Sequence, residues 1–456
     1  MIAAHRHSPE TYRETAEAAW RWALDQVRED DGPWIPTAVT DAEPRVPDDR
    51  DGMHSGIGGL AHAIHEVHLA RPITLEEDHL AAAIGRRIRT VVPAMTETTY
   101  FDGLVSALGV LIALDEPGSE IAVSRLGELA GPDGWPQPYL SAPRFHPGGV
   151  INDVTLGNGA VLLGALWAAD HGVDGADALA RSAADLLLEE AEETPDGLAW
   201  PFVPRRFWAE PDRPSMPNFS HGLAGVAAVL ALAGSRLGRP ELVDAARRGA
   251  RHLVGLADTG DDGFRVPRTL PPQTPDDLTT NGWCHGPAGT SLLFPALELA
   301  GVGTVAGAPT TSWQRRCLHS VRTSGIPARL HPGFWDNDGR CCGTAGVADI
   351  FLDSWQHGGP DEDLDFALRL ADVLVERAVR EDDRAYWRFL EHRADEPVLP
   401  PGVGWMQGAA GIAALLFRTS RVVQQGRTAA AVRRMDNWWA LPPATEPDTE
   451  RVGAQT

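Results

Sequence analysis

Trp283-Cys284-His285-Gly286-Pro287-Ala288-Gly289 and Arg340-Cys341-Cys342-Gly343-Thr344-Ala345-Gly346 are two versions of one pattern. A cysteine-bearing turn leads into a Gly-x-x-Gly step, and an apolar run follows. The chain holds only four cysteines, and three of them sit in these two turns. Three thiols brought together supply three-quarters of a tetrahedral zinc site and leave one position for a substrate. That is the arrangement of a catalytic metal; a closed structural site needs a fourth protein ligand. The competing reading, three small residues of a core, rests on how well free cysteine packs. Two clusters at equivalent places argue against it. Cys317, in Arg315-Arg316-Cys317-Leu318, lies away from any step and reads as packing.

The step recurs seven times, beginning at Gly56, Gly103, Gly157, Gly222, Gly286, Gly343 and Gly408, at intervals of 47 to 65 residues. Such self-similarity marks a repeat architecture. Seven stretches with helical apolar spacing precede the steps: 9–28, 75–95, 119–129, 174–192, 239–257, 312–324 and 361–381. The segments after the glycines, such as 156–169, 226–233, 290–300 and 412–417, are apolar nearly all round and belong inside a helical assembly. The pattern predicts an all-α fold, a double α/α toroid of seven outer and seven inner helices with the steps at one end. Glycine is required at the steps either for close backbone approach or for a positive φ. Residues 1–425 read as a single toroid domain and 426–456 as a tail that ends in disorder. Long loops rich in Pro and Trp, including 131–149 and 194–217, read as ordered walls over a cleft.

Composition narrows the function. At 456 residues with 43% apolar content, the chain has ample material for a large core. A formal charge of −23 speaks against nucleic acid, whose phosphates are held by clustered Lys and Arg. All 40 basic residues are Arg, so no P-loop lysine and no Schiff-base lysine exist. No apolar run is long enough to span a membrane, and the N-terminus turns polar at once. The expected location is the cytoplasm, where clustered thiols bind metal or catalyse more often than they pair.

Inner-helix mouths converge on the axis of a toroid, so polar residues beside the steps rank as site candidates. His221, in Asn218-Phe219-Ser220-His221-Gly222, holds the position before its glycine that His285 and Cys342 hold before theirs. A histidine there suits a general acid or base. Asp153, four residues before the third step, either orients His221 or caps the helix that follows. His54, Gln407, Asp336 and Asp338 read as structural or turn-forming residues.

With seven steps, Ser220-His221-Gly222-x-x-Gly225, Trp283-Cys284-His285-Gly286-x-x-Gly289 and the second cysteine element, the chain resembles the lanthionine synthetase C-like family over roughly residues 10–420. The resemblance implies a central Zn2+, one per chain, held by Cys284, Cys341 and Cys342. It also implies a cyclase that adds peptide cysteine thiols to dehydroalanine or dehydrobutyrine, forming the thioether rings of lanthipeptides. His221 and Asp153 would then handle the proton, and His285 would share in its transfer or support the site. The implied partners are a dehydrated precursor peptide and a separate dehydratase. Three positions depart from the common family pattern: Cys342 stands where many relatives have His, His285 where several have Tyr, and Thr280 where relatives carry an arginine. Two alternatives keep the metal: addition of glutathione or another small thiol to dehydroamino acids in proteins, and a non-catalytic zinc scaffold or regulator. A carbohydrate-active toroid would want two acids facing an aromatic cleft and leaves the cysteines unexplained.

Overall fold

The computed structural model describes residues 7–209, 215–278, 280–390, 395 and 397–442. Its helices alternate between two layers. They begin α1 (Pro9–Asp25), α2 (Gly59–Ala70), α3 (Leu75–Val91), α4 (Leu104–Ala113) and α5 (Ser119–Leu129). Next come α6 (Asn158–Asp170), α7 (Ala176–Glu189), α8 (Leu223–Leu237), α9 (Pro240–Leu256) and the short α10 (Pro287–Thr290). The remainder are α11 (Leu293–Leu299), α12 (Thr310–Arg322), α13 (Thr344–Gln356), α14 (Asp361–Arg377) and α15 (Ala409–Gln425). Among the described residues the only sheets are two-stranded hairpins in the loops.

The layers follow from the apolar patterning. In α9 the buried residues are Leu242, Ala245, Ala246, Gly249, Ala250 and Leu253, a stripe at helical spacing that faces inward. In α13 every residue from Thr344 to Gln356 is buried, so this helix has no solvent face. The outer helices are α1, α3, α5, α7, α9, α12 and α14. The inner ring runs α2–α4–α6–α8–α11–α13–α15 and closes where α15 packs on α2, with α10 joining α13 across the fifth position. Outer helix α1 packs on α15, which fastens the two ends of the chain together. The predicted double toroid of seven outer and seven inner positions is therefore the fold, with the fifth inner position split into α10 and α11. Ser8 caps α1, and Thr74 with Glu77 forms a capping box on α3.

The glycine steps resolve in favour of close approach. Gly103, Gly157, Gly222, Gly286, Gly343 and Gly408 cap six inner helices in extended conformations with negative φ. A Cβ on Gly222 would lie 1.6 Å from the Met216 carbonyl oxygen. On Gly289, Gly346 and Gly411 it would lie 1.8 Å from the carbonyls of Trp283, Arg340 and Trp405. Each of these carbonyls comes from six residues earlier, so the loop curls back over its own helix start and leaves no room for a side chain.

The curled loops then bond to one another around the axis. Met53 N donates to Phe101 O (2.6 Å), Tyr100 N to Thr155 O (2.8 Å), and Thr155 Oγ1 to Ser220 O (3.2 Å). Ser220 N donates to Cys284 O (3.1 Å), and Cys284 Sγ to Cys341 O (3.5 Å). Cys341 N donates to Met406 O (3.1 Å), and Met406 N to His54 O (2.9 Å), which closes the circle. The acceptor in every link is the residue two positions before a step.

Of the segment read as a tail, Gly426–Pro442 enters the ring, whereas 443–456 lies outside the described residues. Trp439 Nε1 donates to Leu292 O (3.0 Å) at the break between α10 and α11, Met435 abuts Gly109 of α4, and Trp438 packs on Trp167 of α6. Arg434 reaches Asp349 of α13 at 2.7 Å, and Arg418 of α15 reaches the same carboxylate at 2.6 Å. Arg340, beside the cysteine pair, bonds Asp349 as well. Burial alone would raise the Asp349 pKa, but these guanidinium groups outweigh it and hold the carboxylate well below its usual range. The segment thus fills the lumen and ties its charge into the network below the cysteines. Trp439→Ala should lower stability by about 3–5 kcal/mol, measured by denaturant unfolding; an unchanged midpoint would show that the segment is not part of the core.

Candidate metal centre

Cys284 and Cys341 occupy the acceptor position of the hydrogen-bonded circle, and Cys342 and His285 occupy the next position toward the mouth. Their thiols meet because the fifth and sixth loops touch. A Cβ on Gly282 would lie 3.0 Å from Cys342 Cα, so glycine at 282 permits the approach. The Sγ–Sγ distances are 2.7 Å for Cys284–Cys341, 3.3 Å for Cys342–Cys284 and 3.4 Å for Cys342–Cys341. All three exceed the roughly 2.05 Å of a disulfide. Cys317 is buried within α12 and takes no part.

The donor set suits zinc: three soft sulfurs, with no carboxylate or imidazole in the group. Two of the separations approach the roughly 3.8 Å edge of a tetrahedron built from zinc–sulfur bonds, and the third is shorter. Hydrogen bonds from the other two thiols push the Cys342 pKa well below the ordinary range, and His285 and His54 add to this. The same bonds push Cys284 well above the ordinary range, with burial adding to the rise. Cys341 is also raised, although its contact with Cys284 acts the other way. One thiolate is therefore favoured among three crowded sulfurs, and a divalent cation would replace the remaining protons. Cys284 and Cys341 are buried, while Cys342 lies at the bottom of an open cleft with accessible surface. The open side of the cluster faces outward.

That cleft holds about 350 Å³ and is lined by Cys284, Cys342, His285, Thr280, Arg268 and Gln407, among others. Gln407, read as structural, accepts from Asn337 Nδ2 at 2.7 Å on the cleft wall. Thr280 Oγ1 donates to His285 O at 2.7 Å, so this residue fixes the backbone beside the first cysteine.

His221 and Asp153 are brought together as one unit. Asp153 Oδ2 accepts from His221 Nδ1 at 2.6 Å and from Thr155 Oγ1 at 3.1 Å. Its Oδ1 accepts the backbone N–H groups of Thr155, Leu156 and Gly157 at 3.1, 2.6 and 3.1 Å. The orienting contact to the imidazole is present, whereas the helix cap is not: Oδ1 closes the turn over residues 155–157 ahead of α6, whose first turn has no side-chain cap. His221 Nε2 has no hydrogen-bond partner among the described residues. The His285 ring lies 5.2 Å from that of His221. Burial first, then the neighbouring His221 and Arg268, push the His285 pKa down to about 3, so it is neutral at physiological pH.

Several site residues carried no motif. Thr155 bridges the Asp153–His221 pair to the backbone circle. Asp338 is a buried anchor as well as a loop acid. It pairs with Arg377 at 2.6 Å and accepts from Thr344 Oγ1 at 2.8 Å, which ties the Cys341–Cys342 loop to α14. Asp336 is the turn former expected, accepting Gly333 N–H at 2.7 Å.

A model described as "Lanthionine synthetase C-like protein" matches residues 47–425. Nisin cyclase superposes with a TM-score of 0.56 over 90% of this chain and 94% of its own, at 16% identity. A D-mannose isomerase covers 91% of this chain and 100% of its own at 11% identity, with a TM-score of 0.47. A sugar epimerase from a ruminal bacterium gives 0.46 at 10% identity, with coverage of 91% and 98%. No curated protein matches in sequence. No helix among the described residues is long and apolar enough to cross a membrane. The matched span takes in every glycine step, all three clustered cysteines, His221 and Asp153: the chain belongs to the lanthionine synthetase C-like family and has the fold of a lanthionine cyclase.

Proposed function

We propose that this protein is a zinc-dependent enzyme that adds peptide cysteine thiols to dehydroalanine or dehydrobutyrine, closing thioether rings in a dehydrated precursor peptide. The observation that carries the reading is the three-sulfur cluster, open on one side at the bottom of a cleft lined by His285, whose ring lies 5.2 Å from that of His221. When bound, zinc supplies the Lewis acidity that keeps an incoming thiol deprotonated near neutral pH. Cys284, Cys341 and Cys342 would hold the metal, and the buried position of the first two would exclude water from its inner side.

The protein's own groups then manage one proton. Asp153 accepts Nδ1–H of His221, which leaves Nε2 to take up the thiol proton and return it. The new bond joins sulfur to the β-carbon of the acceptor residue, the double-bond electron pair moves toward the carbonyl oxygen, and the α-carbon takes the proton from His221 Nε2. Nothing leaves, so the product is the sum of its parts. Neutral His285, pressed against His221, contributes a hydrogen-bonding edge without adding charge. Dehydration of serine or threonine falls to a separate dehydratase in this reading.

Purified protein should carry about one zinc per chain by elemental analysis, and Cys284→Ala should lose it. Protein that never takes up zinc contradicts the reading. His221→Ala should keep the metal while ring formation, followed by loss of free thiols in a dehydrated cysteine-containing peptide, falls by a factor on the order of 10²–10⁴. Asp153→Asn retains an oxygen that can hold the 155–157 turn but cannot hold the same imidazole tautomer. It should therefore keep its melting temperature within a few degrees and lose activity on a scale like that of His221→Ala. A variant that unfolds instead would mark Asp153 as purely structural. Equal turnover of free glutathione and peptide thiols would favour the small-thiol alternative.

A further inference from the structure

We propose, on the reading just given, that Arg268 is the group that binds the carbonyl oxygen of the acceptor residue, where negative charge gathers as sulfur adds. Among the described residues Arg268 is the only basic side chain lining the cleft apart from His285, in a chain that has no lysine. It is exposed, and among the described residues no carboxylate lies within ion-pair distance of its guanidinium. It shares that lining with Cys284, Cys342 and His285.

The backbone that carries it is fastened on both sides. Asn218 Nδ2, in the loop of His221, donates to Pro267 O at 2.8 Å, and Leu270 exchanges backbone hydrogen bonds with Ser215 at 2.8 and 2.9 Å. Arg268 N donates to Asp277 O at 2.7 Å. The buried Asp277 carboxylate in turn accepts Thr269 Oγ1 at 2.6 Å and Gln273 N at 2.7 Å. An unpaired guanidinium on so firmly held a strand of chain stands between the histidine loop and the first cysteine loop, and stands ready before substrate arrives.

The charge balance of the site gives this cation its task. With a divalent ion held by three thiolates the site would carry −1, and an incoming thiolate would add a further negative charge. Addition then moves an electron pair onto the acceptor carbonyl, placing more negative charge in the same cleft. A guanidinium is permanently charged and presents paired N–H donors to an oxygen. Donors aimed at developing charge act mainly on the transition state.

The test uses zinc-loaded wild type, Arg268→Ala and Arg268→Lys on a peptide with one dehydroalanine and one cysteine. Arg268→Ala should lose about 10²–10³ in kcat with KM nearly unchanged and with zinc content and circular dichroism like wild type; Arg268→Lys should recover part of the loss. As a readout independent of turnover, phenylglyoxal modification of Arg268, mapped by mass spectrometry, should slow when the dehydrated peptide is bound. Unchanged kcat, a raised KM with kcat intact, lost zinc or unprotected Arg268 would each overturn the assignment. Wild type that forms no thioether would overturn the proposed function with it, whereas an active wild type and an indifferent Arg268→Ala would sink this inference alone.

Discussion

Seven loops far apart in sequence meet on one axis because each bonds to the next, from Met53–Phe101 around to Met406–His54. This closed circle is the constraint on which the site depends. Its links are ordinary hydrogen bonds, each of modest net value, but they close only if every inner helix starts at the same height. The glycine steps set that height, since a side chain on Gly222, Gly289, Gly346 or Gly411 would collide with its own loop carbonyl. Three links pass through Cys284 and Cys341, and Cys342 follows directly, so the geometry that closes the toroid also gathers the thiols.

Electrostatics divides the molecule along its axis. Below the cysteines, Asp349 joins Arg340, Arg418 and Arg434 in a buried network that links three parts of the chain, the last of them the lumen-filling segment. Breaking such a network is costly because charge is left buried and unpaired. Above the cysteines the cleft opens, and Arg268 is the one permanent positive charge among its described lining residues. On the proposed reading a cation on the open side would support negative charge developed in the reaction, while the paired charges on the closed side serve the fold.

Much of this was legible in the sequence, and for a physical reason. A helix enclosed by the ring, such as α6, is apolar nearly all round, and an outer helix such as α9 has to carry a stripe; both patterns survive without any knowledge of partners. The repeated Gly-x-x-Gly step is equally readable because the steric need recurs identically. The reason for glycine was less so, since crowding by a carbonyl six residues back and a positive φ leave the same mark on a sequence. What the sequence did not carry were pairings between loops. Thr155 under His221, Asp338 against Arg377, and Arg268 fixed by Asn218 and Asp277 have no spacing rule, because each depends on which loops become neighbours. The burial of Met435 and Trp439 was hidden in the same way: a segment without periodicity reads as a tail until a lumen exists to receive it.

The central claim is that the circle of loops builds a three-sulfur metal site with one position open to a thiol. Zinc-edge X-ray absorption of the metal-loaded protein, recorded before and after a cysteine-bearing dehydrated peptide is added, tests it most directly. The account predicts three sulfur neighbours at about 2.3 Å with one lighter atom, changing to four sulfurs when the peptide binds. Zinc bound without sulfur, or a coordination shell indifferent to the peptide thiol, would contradict it.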